Sequence, residues 1–405
     1  MKLFFRFAVV LFVFTAHLCY CYAGRALEKG KVPKHLNRLN KRPVKTIKSP
    51  DGDIIDCVHI SHQPAFDHPL LKNHTLKMRP SYHPNWKKDG DIKNASTVGP
   101  LSSSTPITQL WQSNGKCPER TIPIRRTKSG SAKNYGKKSL PVAQTSSIDV
   151  ELINANNADN GHEYATVYAE GPLYGGKATF NVWNPKVEGY NELSLGQLWI
   201  VGGSQSLEAG WQVVPSAYKD TNTRFFIYFT LDGYVNTGCY NLDCGYFMQT
   251  NNEIVIGGSI SPTSQVGGSQ YDITIFIWKD QRDGDWWLQV GDAVIGYWPT
   301  SKFPHLSDGA SRVYFGGEII NDNLDGHHTT TQMGSSRFPE EGFGKASYVK
   351  NIQTVDDSIT LKTPEDLKTY VSVKSCYDIM TSNEDIDNWG SYFFYGGPGR
   401  NDRCP

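Results

Sequence analysis

Past about residue 142 the chain breaks into short apolar runs separated by Gly, Asn and Asp. They include HEYATVYAEG, KATFNVWNP, GQLWIVGG, RFFIYFTLDG, NEIVIGGSI, YDITIFIWKD, DWWLQVGDAVIGYWP and ASYVKNIQTVD. Each is rich in aromatic and β-branched residues, and turn pairs such as DG, GG and NP fall between them. That is the signature of strands joined by tight turns. No stretch of comparable strength carries the helical period. The pattern therefore predicts an all-β body of ten or more strands, closed as a sandwich or a barrel. A β-propeller is the runner-up, but no blade-length repeat is visible.

Two runs break the apolar rhythm with a carboxylate. In SRVYFGGEII (311–320), counting by twos puts Arg312, Tyr314, Gly316, Glu318 and Ile320 on one face. In SQSLEAGWQVVP (204–215), Ser206, Glu208, Gly210 and Gln212 share a face, while Leu207, Ala209, Trp211 and Val213 form the core side. Each glutamate has a glycine two residues away on its own face. A strand glycine often marks close approach by a ligand or another backbone. Two such strands could line one groove for an extended chain. The plainer reading is that both glutamates face solvent, as most strand carboxylates do.

The N-terminal third differs. MKLFFRFAVVLFVFTAHLCYCYA (1–23) has Lys2 and Arg6 ahead of a short apolar run and small residues near Ala23, which reads as a secretory signal peptide. A membrane anchor is the alternative, but His17 interrupts the run. Residues 25–50 are basic, Pro-containing and poor in aromatics, and are expected to be disordered or marginally helical. QPAFDHPLLKNHTLKMRPS (63–81) is an apolar patch, 88–106 is loop-like, and LWQSNGKCPERTIPIRR (110–126) looks strand-like. SGSAKNYGKKSLP (129–141) reads as a cleavable linker. Sequons at Asn73 and Asn94 are candidate glycosylation sites.

Charge separates the same parts. Residues 24–141 hold 23 Lys+Arg and 8 Asp+Glu, a balance of +15. Residues 142–405 hold 16 and 32, a balance of −16, and the signal segment adds +2, which sums to the net +1. A basic block can mean nucleic acid, but a secreted chain that carries its own acidic body has a nearer partner. The basic part is expected to dock on the acidic part as a prosegment. On this view acid loosens the docking, as the body's carboxylates protonate below about pH 5. Neither nucleic acid nor membrane is expected as a partner, and the mature protein is expected to be a monomer.

Six cysteines remain after the signal: Cys57, Cys117, Cys239, Cys244, Cys376 and Cys404. An even number in an oxidising compartment implies disulfides. Sequence proximity favours Cys239–Cys244 and Cys376–Cys404, leaving Cys57 for Cys117. The spacing fits no zinc ribbon. There is no G-x-S-x-G elbow, H-E-x-x-H or phosphate loop. His327–His328 are adjacent and point oppositely on an extended chain, so a shared metal is not expected, nor any other cofactor. The carboxylates are the better lead.

SLEAGWQVVPSAYKD, TRFFIYFTLDGYVNTGCYNLDC, SQYDITIFIWKDQRDGDWWLQVG, FGGEI, HTTTQMGS, FPEEGFGKASYVKNI and YGGPGRNDRCP together resemble the neprosin family of plant secreted proteins. QPAFDHPLLKNHTLKMRPS and WQSNGKCPERTIPIRRT resemble that family's activation peptide. The resemblance implies a sandwich of two antiparallel sheets behind a small basic prodomain. It implies an acid-activated glutamic endopeptidase that prefers proline, with Glu208 and Glu318 as the catalytic pair. Tyr314–Phe315 replaces a common Trp before G-G-E, and SLGQ (194–197) replaces SLSQ; both bear on substrate preference. The expected division is 1–23 signal, 24–145 prodomain and 146–405 catalytic domain, in a protein secreted to the extracellular space or vacuole. Gln212 or Gln249 could hold an oxyanion, and Trp211, Tyr240, Trp298 and Tyr314 could receive a proline ring. A sugar-binding sandwich, or a glycoside hydrolase using the same carboxylates, are the competing classes.

Overall fold

The computed structural model describes residues 40–86, 108–127, 161–322, 326–382, 386 and 389–405. The signal segment, the 129–141 linker and Asn94 lie outside them. Four strands precede the linker: β1 (Lys45–Lys48), β2 (Ile54–His59), β3 (Asn85–Trp86) and β4 (Thr121–Arg125). The body begins with β5 (His162–Leu173), β6 (Gly175–Asn181), β7 (Ser194–Gly202), β8 (Gln205–Val213), β9 (Arg224–Thr230), β10 (Cys239–Tyr240) and β11 (Met248–Gln249). It continues with β12 (Asp272–Lys279), β13 (Trp286–Val290), β14 (Ala293–Trp298), β15 (Ala310–Ile320) and β16 (Ser347–Val355). It closes with β17 (Thr360–Lys362), β18 (Lys368–Val371), β19 (Asp378–Ser382) and β20 (Tyr392–Gly396).

These strands form two large sheets. One runs β10-β9-β8-β7-β15-β5-β18 and is antiparallel throughout. The other runs β11-β14-β13-β12-β6-β16-β17-β3, with β20 and β19 added beside β16. Their inner faces meet in one core, where Leu198, Leu207, Trp211, Phe225 and Phe315 pack with Phe180, Ile275, Ile277, Trp286 and Phe393. Side chains at every second position supply each face, so the period-2 runs become a two-layer sandwich. Among the described residues no helix is long and apolar enough to cross a membrane. All three disulfides pair as sequence proximity suggests: Cys57–Cys117, Cys239–Cys244 and Cys376–Cys404.

The prosegment sheet β1-β2-β4 packs on one end of this sandwich. Val58, Ile60, Ile122 and Ile124 join the main core beside Phe247, Ile256 and Ile260. Farther along, Ala65 and Leu71 cover Met248, Phe276, Trp278, Trp287 and Tyr297 on the outer face of the second sheet. Two glutamines complete the join. The Gln63 amide bonds both backbone groups of Gln249, and the Gln109 amide bonds both backbone groups of Val255.

Several local expectations change. NEIVIGGSI makes only isolated bridges, because Gln109 takes the backbone of Val255 and Gly257 turns the chain at φ +81°. Leu110–Asn114 is a 3-10 turn capped by Gln109 and Gln112, not a strand. Lys45–Lys48, expected to be disordered or marginally helical, pairs with β2. The charge expectation holds only in part. Lys77 reaches Asp283 and Asp285 at 2.9 and 2.6 Å in the expected sense. The more deeply buried bridge runs the other way: prosegment Asp53 holds body Arg224 at 2.6 Å. Docking thus combines apolar packing with ion pairs of both polarities, of which Asp53–Arg224 is the buried one.

Candidate active site

The seven-stranded sheet turns one face to the core and the other to a second cluster that includes Tyr164, Tyr168, Leu195, Trp199, Phe226 and Tyr314. Strand register arranges that second face as three rows. One row reads Tyr168, Tyr314, Trp199, Glu208, Tyr228, Tyr240. The next reads Thr166, Gly316, Gln197, Gly210, Phe226. The third reads Tyr164, Glu318, Leu195, Gln212, Arg224. Glu208, Gln197 and Glu318 thus stand on one diagonal across β8, β7 and β15. The twist of a sheet is what carries such diagonal neighbours toward each other.

Both glutamates are fully buried, which removes the solvent-facing reading. Burying a carboxylate is costly unless donors meet it. Among the described contacts, three donors meet Glu208. The Ser206 and Tyr234 hydroxyls donate to Oε1 at 2.7 and 2.6 Å, and Gln197 Nε2 donates to Oε2 at 2.9 Å. Ser206 comes from the same strand, Gln197 from the neighbouring strand, and Tyr234 from the loop after β9. Glu318 is met differently. Its Oε1 lies 2.6 Å from His162 Nδ1, and its Oε2 has no hydrogen-bond partner among the described residues.

The surrounding phenols report where the two charges act. Burial first, and then the Glu208 and Glu318 charges, push Tyr228 well above its ordinary value of 10.0. The same two charges add to burial at Tyr240. Tyr234 is pushed up by burial and then by Glu208 alone of the pair. These tyrosines therefore stay neutral throughout the acid and neutral range. Tyr228 is opposite Glu208 but three strands from β15. A flat sheet would set Glu318 about 14 Å across and about 13 Å along from it. The twist of the sheet and the reach of the two side chains shorten that separation.

The glycines serve the sheet itself. A Cβ on Gly210 would lie 2.2 Å from the Gly196 oxygen and 2.4 Å from Gln197 Cβ. One on Gly316, at φ +147°, would lie 2.3 Å from the Ala165 oxygen. Both positions admit a neighbouring strand rather than clear room for a ligand, which corrects the reading from spacing. The consequence at the site is indirect: Gln197 is flanked by two residues without side chains in its own row.

The remaining sequence candidates divide. Gln212, Tyr240 and Tyr314 lie on the carboxylate face. Gln212 donates to the Tyr218 hydroxyl at 3.1 Å, and Tyr314 stacks on Tyr168 with centroids 5.0 Å apart. Trp211 and Trp298 are core residues between the sheets, Trp211 donating to the Asn181 oxygen at 3.0 Å. Gln249 is in the other sheet, bonded to Asn251 and Ile254 and covered by Gln63. Asn73 is exposed. His328 turns to Glu163 at 2.9 Å while His327 is exposed; the two sulfurs near His328 form the Cys376–Cys404 bridge and are not thiolate ligands. Gln197, Tyr234 and His162 were not among the sequence candidates. For Gln197 the cue was available: its place in SLGQLWIVG puts a polar side chain on the face shared with Trp199.

An antiparallel sandwich, a pair of buried carboxylates on one sheet face, and an N-terminal segment docked across the body together define the class. The chain belongs to the Neprosin family, which matches residues 190–398, and residues 46–168 match the Neprosin activation peptide. The N-terminal segment is accordingly an intramolecular prosegment, and its match runs into β5. Among solved structures, Scytalido-glutamic peptidase with a peptide-based transition state analog overlays with a TM-score of 0.33 at 10% identity, covering 58% of this chain and 98% of that one. SCP-B, a member of the Eqolisin family of peptidases in complex with the tripeptide Ala-Ile-His, overlays at 0.30 and 10%, covering 59% and 98%.

Proposed function

We propose that this chain is the zymogen of a secreted glutamic endopeptidase that acts in acid and cuts at proline, with Glu208 and Glu318 as its catalytic pair. The observation that carries the reading is the asymmetry of two buried carboxylates on one face. Glu208 is enclosed by donors, whereas Glu318 keeps one oxygen without a partner. Among the described residues Glu318 Oε2 is the one carboxylate oxygen so left, and a buried carboxylate oxygen is the costliest of these groups to leave unpaired.

In the proposed reaction Glu318 Oε2 accepts a proton from water as the water attacks the scissile carbonyl. Glu208 carries the pair's proton in this step and gives it to the carbonyl oxygen, while Ser206, Tyr234 and Gln197, which donate to Glu208 in the structure, stabilise the carboxylate it becomes. The proton taken up by Glu318 then passes to the leaving nitrogen as the C–N bond breaks, and a hydroxyl proton of the collapsing intermediate returns to Glu208, which releases acid and amine and restores the pair. One proton shared by two carboxyls is an acid-range arrangement. Tyr164, Trp199, Tyr240 and Tyr314 make the face aromatic, which suits a proline ring with no N–H to satisfy. The prosegment and three disulfides suit a protein stored inactive outside the cytosol.

The test is to secrete the full chain, acidify it in steps from about pH 7 to about pH 3, and supply a quenched peptide with one internal proline. Cleavage at the proline in acid, accompanied by trimming of the chain and lost in Glu318→Gln and Glu208→Gln, is the expected result. If trimmed parent protein cleaves no peptide, or cleaves glycosides instead, the reading is wrong.

A further inference from the structure

We propose that His162 is a positioning residue for Glu318, fixing its rotamer and charge so that Oε2 is presented to the attacking water. The inference rests on the peptidase reading above and adds a group that reading does not contain.

His162 opens β5 and pairs with Ile320 on β15, which puts it on the carboxylate face one diagonal step from Glu318. Its Nδ1 lies 2.6 Å from Glu318 Oε1, with the imidazole side chain 2% exposed and the carboxylate 0%. The ring is held flat against Tyr164, with centroids 6.3 Å apart and planes 16° apart. Tyr164 in turn meets Tyr370 of β18 at 6.2 Å. The neighbouring Glu163 points the other way and is bonded to His328. Arg224 stands at the far end of the Glu318 row. Among the contacts described, Glu318, Tyr164 and Tyr370 are the titratable groups on the side of the imidazole.

The chemistry follows from that enclosure. A carboxylate fixed through one oxygen cannot rotate without breaking that bond, the one Glu318 makes among the described residues, so the other oxygen keeps a fixed aim. In acid an imidazole is a cation, and its N–H to a carboxylate is a charge-assisted bond. His162 touches neither the peptide nor the water; it acts only through Glu318.

The test compares acid-processed parent, His162→Phe and His162→Asn. In His162→Phe, kcat is expected to fall about 10- to 100-fold with KM within about twofold, because the lost interaction belongs to the transition state. The acid limb of the pH profile is expected to move to higher pH, since the cation no longer opposes protonation of the base. His162→Asn, whose amide can reach the Nδ1 position, is expected to recover most of kcat while keeping the displaced limb. The Glu318 carboxyl band, identified by its loss in Glu318→Gln, is titrated by infrared spectroscopy in the same proteins and needs no turnover. A displaced titration in both His162 variants supports the inference. An unmoved titration, or a His162→Phe enzyme with parental kcat and limb, overturns it. A parent that cleaves nothing refutes the peptidase reading and leaves the infrared result to decide His162. If His162→Phe does not fold, the limb and titration of His162→Asn decide.

Discussion

Asp53→Asn should loosen the prosegment more than any single surface charge change. Asp53 is 4% exposed, and its Oδ2 receives Arg224 Nη1 at 2.6 Å while Arg125 lies 3.5 Å from Oδ1. Both guanidinium groups also lie over the Tyr218 ring, at 4.7 and 4.8 Å. Arg224 is fully buried; burial alone would lower its pKa, but Asp53 and Asp220 outweigh that and hold it above its ordinary value. Removing a partner from a buried charge pair costs about 3–5 kcal/mol when the other charge is stranded. Here Arg224 keeps Asp220 at 2.7 Å and the Gly257 oxygen at 2.9 Å, and Asn keeps the shape. The loss is therefore nearer to one charge-assisted hydrogen bond, about 2 kcal/mol, or about 30-fold in affinity. The assay uses a Glu318→Gln chain with a specific protease site placed in 129–141. Once the chain is nicked, prosegment dissociation is followed at neutral pH by fluorescence transfer between labels on the two parts. Affinity unchanged within about threefold would refute the reasoning. The ion pair would then only offset its own desolvation, and the contacts of Ala65 and Leu71 would carry the docking.

Tyr234→Phe removes the 2.6 Å hydroxyl donor from Glu208 and leaves Ser206 and Gln197 in place. Steady-state kinetics should show kcat/KM lower by about 10- to 100-fold with the unfolding midpoint little changed, and unaltered kinetics would remove Tyr234 from the site. His74 lies 2.8 Å from the Tyr297 hydroxyl across the prosegment join, and burial, opposed by Asp285 and helped by Lys77 and Lys302, holds it below its ordinary value of 6.5. A histidine depressed in the docked state favours docking above that ordinary value, and the contribution is lost as pH falls from there toward the depressed one. His74→Gln does not titrate, so trimming of the chain should begin at lower pH than in the parent; an unchanged threshold excludes His74 as a sensor. The Asn321 amide donates to the Gly161 oxygen at 2.7 Å, next to the His162–Ile320 pair. Processing should therefore cut before Gly161, and N-terminal sequencing of the mature form should place its first residue earlier in the chain.

Alternation alone settled which residues share a face. Leu207, Ala209 and Trp211 went inward and Glu208 and Gln212 outward because a strand reverses its side chains at every step, a property of the local backbone. The same rule told against Trp211 as a groove residue, and the quoted motifs carried the family. Cysteine spacing in sequence was also enough for the three disulfides. What alternation could not say is what the outward face meets. That depends on which strands pair and how strongly the sheet curls, and both are set by segments far apart in the chain. β7 lies between β8 and β15, so Gln197 stands between the two glutamates although it precedes Glu318 by 121 residues in sequence. His162 meets Glu318, and Asp53 meets Arg224, across 156 and 171 residues. A charge count fixes the sum over each part but not which charges are buried together. Only the docked tertiary structure put a prosegment aspartate on a body arginine, because burial makes one close pair outweigh many exposed ones screened by water.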